Sequence, residues 1–266
     1  MVRLFFCTST LVSGTLVPGT LVPSALVSGV LGLGALVLAV SSCVAPKPVI
    51  PDQPSPEGRL TVMGSQQSFN LDAPPADWIV SGGGGLKGHD RDAISTVTRD
   101  GVRALELKSG PQRVIAVRRV DAMMLATPFL SWAWRLSNHG AGIHPVRLIV
   151  GFNGGAPQGT ALDSQGDGLP PHDRALALVW GDTALRRGAL SLPPTNKPLE
   201  APLYTVRGGR ENTRKWWVEN VDLSDLYAKA WPNDNRKRTH ITFIGLAAAP
   251  THNVVRGQIS GILLTH

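Results

Sequence analysis

The sequence predicts an all-β fold, an antiparallel sandwich or barrel carrying one short helix. Three observations carry that expectation. Apolar runs of period two recur along the chain after about Leu60, Gly, Pro, Asn and Asp separate them, and one stretch switches to helical spacing. The clearest run is LSWAWRL, in which Leu130, Trp132, Trp134 and Leu136 share one face and Ser131, Ala133 and Arg135 the other. That placement makes Trp132 and Trp134 core residues. VRLIVGF repeats the alternation with Val146, Leu148, Val150 and Phe152, and LALVW does so with Leu176, Leu178 and Trp180. VRALELK, ITFIGLA and GQISGILL supply three further strands. The helix is expected over Leu223 to Trp231, where Leu223, Leu226, Tyr227, Ala230 and Trp231 recur at helical spacing behind a capping Asp222 or Ser224, with Pro232 after the last turn.

The chain before Leu60 reads differently. Leu opens every block of five from Leu11 to Leu36, a period that suits neither strand nor helix, and Pro18 and Pro23 break the first half of the run. Five residues are too few for a structural repeat, and the unbroken apolar stretch Ser24–Val40 is shorter than the roughly 20 residues of a membrane span. An export signal fits better, with Arg3 as its basic start. Val40-Ser41-Ser42-Cys43 resembles the bacterial lipobox, in which the cysteine is lipidated and becomes the mature N-terminus. Val44 beside it, in place of Asp, points to outer-membrane sorting facing the periplasm. The expected organisation is therefore a lipoprotein signal peptide over 1–42, a Pro-rich tether over 43–59 and a β-sandwich domain over 60–266. VAPKPVIPDQPSPEG, with five prolines in fifteen residues, has polyproline character and suits the tether.

Charge and motifs exclude several function classes. The formal charge of +7 falls to +6 for residues 43–266, because Arg3 is the one charged residue before Cys43. Export and the scatter of Lys and Arg argue against nucleic acid as a partner, and Arg236-Lys237-Arg238 sits in a turn region with no aromatics interleaved. With Cys43 lipidated and Cys7 discarded, no thiol pair is left for a disulfide or a thiolate metal site. Gly83, Gly85 and Gly88 match a dinucleotide fingerprint in letters, but the segment after them does not read as a helix. Asp163, Gln165, Asp167 and Gly168 imitate half an EF-hand loop, yet Arg174 stands where the closing Glu belongs. A different calcium site using Asp163, Asp167 and Asp173 stays open, with turn geometry as the plainer role. The histidines show no ligand spacing, and no cofactor is expected. Asp173, Glu211, Glu219 and Asp222 are the candidate carboxylates for glycoside cleavage, whose separation a sequence does not give.

The order PFLSWAWRL, VRLIVGFNGG, ALALVWG, RKWWVENVDLSDLYAKAWP, ITFIGLAAAPTHNVVRGQISGILL resembles the bacterial domain of unknown function 3047 family, over roughly Trp78 to Leu264. The resemblance implies an exported protein with a galactose-binding-like, jelly-roll sandwich and brings no established activity. Family members tend to carry acids just before the VRLIVGF strand and in an Asp-rich turn near the end. This chain has Ile143 and His144 at the first place and Ala249-Pro250-Thr251-His252-Asn253 at the second.

On these grounds the expected function is a non-catalytic envelope lipoprotein, not an enzyme, whose sandwich holds a glycan or similar polymer. A glycan hydrolase of the envelope and a purely structural lipoprotein are the alternatives. Trp216 and Trp217 must point to opposite faces if extended, so they and Arg214 form the candidate binding surface. Mass spectrometry of the membrane-extracted protein is expected to find a mature chain that begins at Cys43 with acyl mass added. An unmodified Cys43 in a soluble chain would contradict the lipobox.

Overall fold

The computed structural model describes residues 51–64, 74–82, 93–157, 168–194 and 200–266. The chain divides into a first unit, Met1–Pro46, outside the described residues, and a second, Lys47–His266. Cys43, the export signal, the Gly83–Gly88 motif, Asp163 and Asp167 all lie outside the described residues.

The second unit is an all-β sandwich with one helix, the expected fold class. One sheet contains β1 (Leu60–Met63), β3 (Ile94–Arg99), β4 (Val102–Lys108), β6 (Phe129–Leu136), β11 (Trp217–Asp222) and β13 (Arg256–Thr265). Its order is β11-β6-β13-β4-β3, with β1 also on β13. β13 serves two neighbours in turn: Arg256–Ile259 pairs with β4 and Ile262–Leu264 with β1. Gly261, at φ +63°, lies in the irregularity between the two halves, a backbone state that L side chains rarely adopt. The other sheet contains β2 (Trp78–Gly82), β5 (Val114–Met123), β7 (Val146–Asn153), β8 (Arg174–Gly181), β9 (Leu190–Ser191), β10 (Leu203–Gly208) and β12 (His240–Ala248), in the order β2-β5-β12-β7-β8-β10-β9.

All six expected runs lie in strands, namely β4, β6, β7, β8, β12 and β13. One pairing departs from the antiparallel expectation: β10 runs parallel to β8. The chain leaves β8, turns through a 3-10 segment at Ala184–Arg186, forms β9 and then pairs β10 antiparallel to β9. That excursion returns β10 in the direction of β8.

The inward faces meet in a core whose large members are tryptophans. Trp132 and Trp134 on β6 stack edge to face at 5.4 Å, and Trp180 from the opposite sheet meets Trp134 at 5.7 Å. Each pair of this geometry contributes about 0.5–1.5 kcal/mol beyond its buried area. The expected core placement of Trp132 and Trp134 is thus the observed one, both being fully buried. Helix α1 (Leu223–Ala230) begins where β11 ends, because the Asp222 carboxylate accepts the Ser224 and Asp225 amides at 2.8 and 3.1 Å. Its Leu223, Leu226 and Tyr227 are buried against the sandwich, and Phe152, Tyr227 and Trp231 form a ring cluster beside it. Arg174, whose charge spoils the EF-hand pattern, is held by both oxygens of Asp234 at 2.8 and 3.1 Å.

The stretch expected as tether is engaged with the sandwich by Asp52. Asp52 forms a bridge with Val120, and its carboxylate pairs with Arg118 at 2.8 Å. Arg118 also donates to the Thr61 and Val62 carbonyls at 2.6 and 2.9 Å, so that it clamps β1 as well as Asp52 to β5. A free tether over 43–59 is therefore too long at its C-terminal end.

The Glu219–Arg207 ion pair joins the two sheets. Glu219 on β11, its side chain 2% exposed, accepts from Arg207 on β10 at 2.5 Å and from the Trp134 indole at 3.2 Å. Removing one partner leaves a buried charge unmatched, so Glu219→Ala is expected to cost about 3–5 kcal/mol in denaturant unfolding. The double replacement Arg207→Met with Glu219→Leu is expected to recover most of that loss. A Glu219→Ala cost below about 1 kcal/mol would show that the pair does not join the sheets.

Candidate binding groove

The six-stranded sheet presents polar side chains outward. Arg135 reaches Asp100 at 3.1 Å and Gln258 at 3.2 Å, Gln258 donates to Glu106 at 2.6 Å, and Arg256 lies 3.7 Å from Glu106. The seven-stranded sheet does the opposite. Its outward face carries a second apolar cluster of Ile115, Val117, Phe243 and Ala247, with Ile79, Ile149 and Leu169 packed against it.

Register explains why a groove crosses that face. Gly245 on β12 stands opposite Ile149 on β7, which stands opposite Ala177 on β8. One row along, Phe243 faces Gly151 and Gly151 faces Ala175; one row the other way, Ala247 faces Arg147. The middle of the sheet is thus surfaced with Gly and Ala while Ile115 and Phe243 rise beside it. Gly151 is required, because a Cβ there would overlap the Phe243 ring lying across it. His172 closes over the same ring at 5.1 Å.

The result is a central hollow of about 520 Å³ floored by Ile115, Ile149, Ala175, Ala177 and Phe243. Two hollows of about 370 Å³ adjoin it. One is walled by His139, Ile143, Pro145 and the turn Ala249–Asn253. The other lies toward β9 and β10, against Ser191–Pro194, Ala201 and Leu203. Arg147 lines all three. The segments 143–145 and 249–253 therefore line one hollow together. Their wall carries no carboxylate.

Arg147 borders all three hollows, and Glu200 borders the central one and the one toward β9. No hydrogen bond or ion pair engages the Arg147 guanidinium among the described residues, and burial alone pulls its pKa below the usual arginine value. Arg113 and Glu200 are the other charged residues in the central lining. Glu200 is one carboxylate, where two-carboxylate glycoside cleavage requires a pair.

The acids considered for catalysis have other employment. Asp173 accepts the Gly154 and Ala156 amides at 2.8 and 3.1 Å through one oxygen, its other oxygen being buried without a partner. Glu219 holds the sheets together, Asp222 caps α1, and Glu211 is exposed beside Asn212. Among the described residues no group of three or more His, Cys, Asp or Glu is placed to hold a metal ion.

Trp216, Trp217 and Arg214 do not line the groove. They lie at the β11 edge of the other sheet, and the two rings diverge as alternation requires. Trp217 is half-buried against the core, donates to the Asn212 carbonyl at 2.9 Å and is covered by Arg207 at 3.8 Å from the ring centre. Trp216 donates to the Arg99 carbonyl at 3.2 Å. Arg214 is exposed at φ +64°, its amide bound to the Leu136 carbonyl at 2.7 Å. The face of Trp217 expected to stack on a ligand is thus occupied by an internal cation.

Beside the groove two histidines touch, a pairing with no sequence signal. His139 and His144 stack edge to face at 4.8 Å. The Val146 amide donates to His144 Nδ1 at 3.1 Å, which places the ring proton on Nε2, and His139 Nε2 donates to the Gly142 carbonyl at 3.0 Å. His144 Nε2 and His139 Nδ1 are both buried, and neither has a hydrogen-bond partner among the described residues.

Comparison with known proteins adds the following. No protein-family model and no curated protein matches the chain. Among solved structures, the chain is similar to the family 11 carbohydrate-binding module of the cellulosomal cellulase Lic26A-Cel5E of Clostridium thermocellum, at 12% identity over 79% of this chain and 96% of that one, with a TM-score of 0.38. The family 30 carbohydrate-binding module of the cellulosomal cellulase Cel9D-Cel44B of the same organism matches at 10% identity over 78% and 96%, TM-score 0.39. The family 11 xylanase from Neocallimastix patriciarum matches at 11% identity over 78% and 100%, TM-score 0.31.

Burial, and then the neighbouring His139, pushes His144 down to about 3. The unfolded chain takes up that proton below about pH 6.5, so the contribution to stability is fully present above that value and is lost as pH falls toward 3. The expected slope is up to roughly 1 kcal/mol per pH unit over that range. Unfolding free energies of His144→Gln are expected to lack it, and an unchanged pH profile would contradict the buried neutral pair.

Proposed function

We propose that this protein is a non-catalytic glycan-binding lipoprotein of the bacterial cell envelope, anchored through Cys43, with the ligand lying across the outward face of the seven-stranded sheet. The observation that carries the reading is the belt of Gly245, Gly151, Ala175, Ala177 and Ala247 between larger apolar neighbours. It makes an open trough running from the 139–145 loop toward β9, and a trough across strands suits a polymer better than a compact molecule. Its apolar floor suits the C–H faces of sugars, and the rim supplies a few polar groups for orientation. The anchor rests on the lipobox-like Val40-Ser41-Ser42-Cys43, and the resemblance to the domain of unknown function 3047 family supports export.

Calorimetry of the purified protein against neutral and acidic oligosaccharides of about six residues is the test. Binding of at least one class is expected, weakened tenfold or more by Ala201→Trp, which fills the junction of two hollows from a half-buried loop position. Binding that survives Ala201→Trp but is lost in Trp216→Ala would move the site to the β11 edge. Absence of binding to every member would overturn the glycan reading, and turnover of any would transfer the protein to the hydrolases.

A further inference from the structure

We infer that the groove selects an anionic glycan, a chain of uronic acid residues, and that Arg147 is the side chain that reads its carboxylate. The inference rests on the glycan reading of the same groove and adds the charge class of the ligand. Arg147 projects from the start of β7, with Val146 and Leu148 on either side of it turned into the core. It borders all three hollows, so any ligand that occupies two of them passes the guanidinium.

A guanidinium removed from water is ordinarily matched by a carboxylate, as Arg207 is by Glu219 and Arg174 by Asp234 in this protein. Arg147 has no such match among the described residues, although burial disfavours its charge. The wall opposite, 143–145 and 249–253, offers no acid to supply it. A planar carboxylate arriving with the ligand would take two parallel N–H donors of the guanidinium, the geometry in which arginine binds most strongly. In the same lining the charges of Arg113 and Glu200 offset one another, and the formal charge of +6 over residues 43–266 favours an acidic polymer at longer range. The floor has no exposed Trp or Tyr, since its aromatic, Phe243, is buried flat against Gly151. Ring stacking of the kind that holds neutral sugars therefore has little to work with, and the ionic contact carries the discrimination.

The test is calorimetry on the full protein with hexagalacturonate, cellohexaose and a sulfated hexasaccharide, for the unaltered protein, Arg147→Gln and Arg147→Lys. Hexagalacturonate is expected to bind at least tenfold tighter than cellohexaose, to lose at least tenfold in Arg147→Gln, and to recover in part in Arg147→Lys. The cellohexaose affinity is expected to fall far less than the hexagalacturonate affinity in Arg147→Gln. Preference for the sulfated probe would overturn the carboxylate assignment, and equal binding of acidic and neutral probes, unaffected by Arg147→Gln, would overturn the inference while leaving the glycan reading in place. Failure of all three probes would defeat the glycan reading itself. A ligand-free measurement separates a reading role from a structural one: Arg147→Met is expected to raise Tm, because it removes an unmatched charge and keeps the aliphatic stem. A lowered Tm would mark Arg147 as a packing residue and overturn its assignment.

Discussion

The seven-stranded sheet is apolar on both faces, and much of the molecule follows from that constraint. A sheet in a two-layer sandwich needs one apolar face, and the six-stranded sheet obeys, with Arg135, Gln258 and Glu106 turned outward. In the seven-stranded sheet the inward Leu148, Val150, Leu178 and Leu246 are matched by an outward Ile115, Val117, Ile149 and Phe243. Apolar surface of that extent has to be covered or has to serve as a binding face. Leu169 and His172 from the segment before β8 cover part of it, and the groove is the part left open.

Two devices keep the open part from collapsing. The strands that floor it are the central β12, β7 and β8, held on both sides by ladders, so the backbone cannot move inward to fill the space above Gly and Ala. The far edge is fixed by the Glu219–Arg207 pair, which ties β10 to the opposite sheet and brings Arg207 over Trp217. The same pair removes Glu219 from the list of acids free for chemistry. Charge inside the sandwich is thus spent on architecture, while Arg147 in the groove has no charged partner among the described residues.

Much of the fold was legible in the sequence because alternation survives wherever one face is core. β6 and β7 follow the expected faces residue by residue, and α1 runs from the expected Leu223 to Ala230, one residue short of the expected end. β5 was hidden by consecutive Arg118 and Arg119, which interrupt the period of two where Arg118 turns to clamp β1. β10 was hidden by Thr205 and Arg207 and by a register shift between them. The groove was harder to see for a topological reason: β12 inserts between β5 and β7, so its floor combines strands far apart in the chain. A local signal did exist. ALALVW and IGLAA place Ala or Gly at the outward positions, where a solvated sheet would carry polar residues. That Arg207 lies over Trp217 was not legible, because Arg207 comes from the other sheet.

The proposed binding face is the outward side of the seven-stranded sheet and not the tryptophan-bearing edge. Nuclear magnetic resonance of the isotope-labelled protein during titration with hexagalacturonate distinguishes the two. Chemical-shift changes are expected at Arg147, Ile149, Ala175, Ala201 and Ala249, with the indole signals of Trp216 and Trp217 still. Changes centred on those two indoles, with the amides of β7 and β8 unmoved, would contradict it.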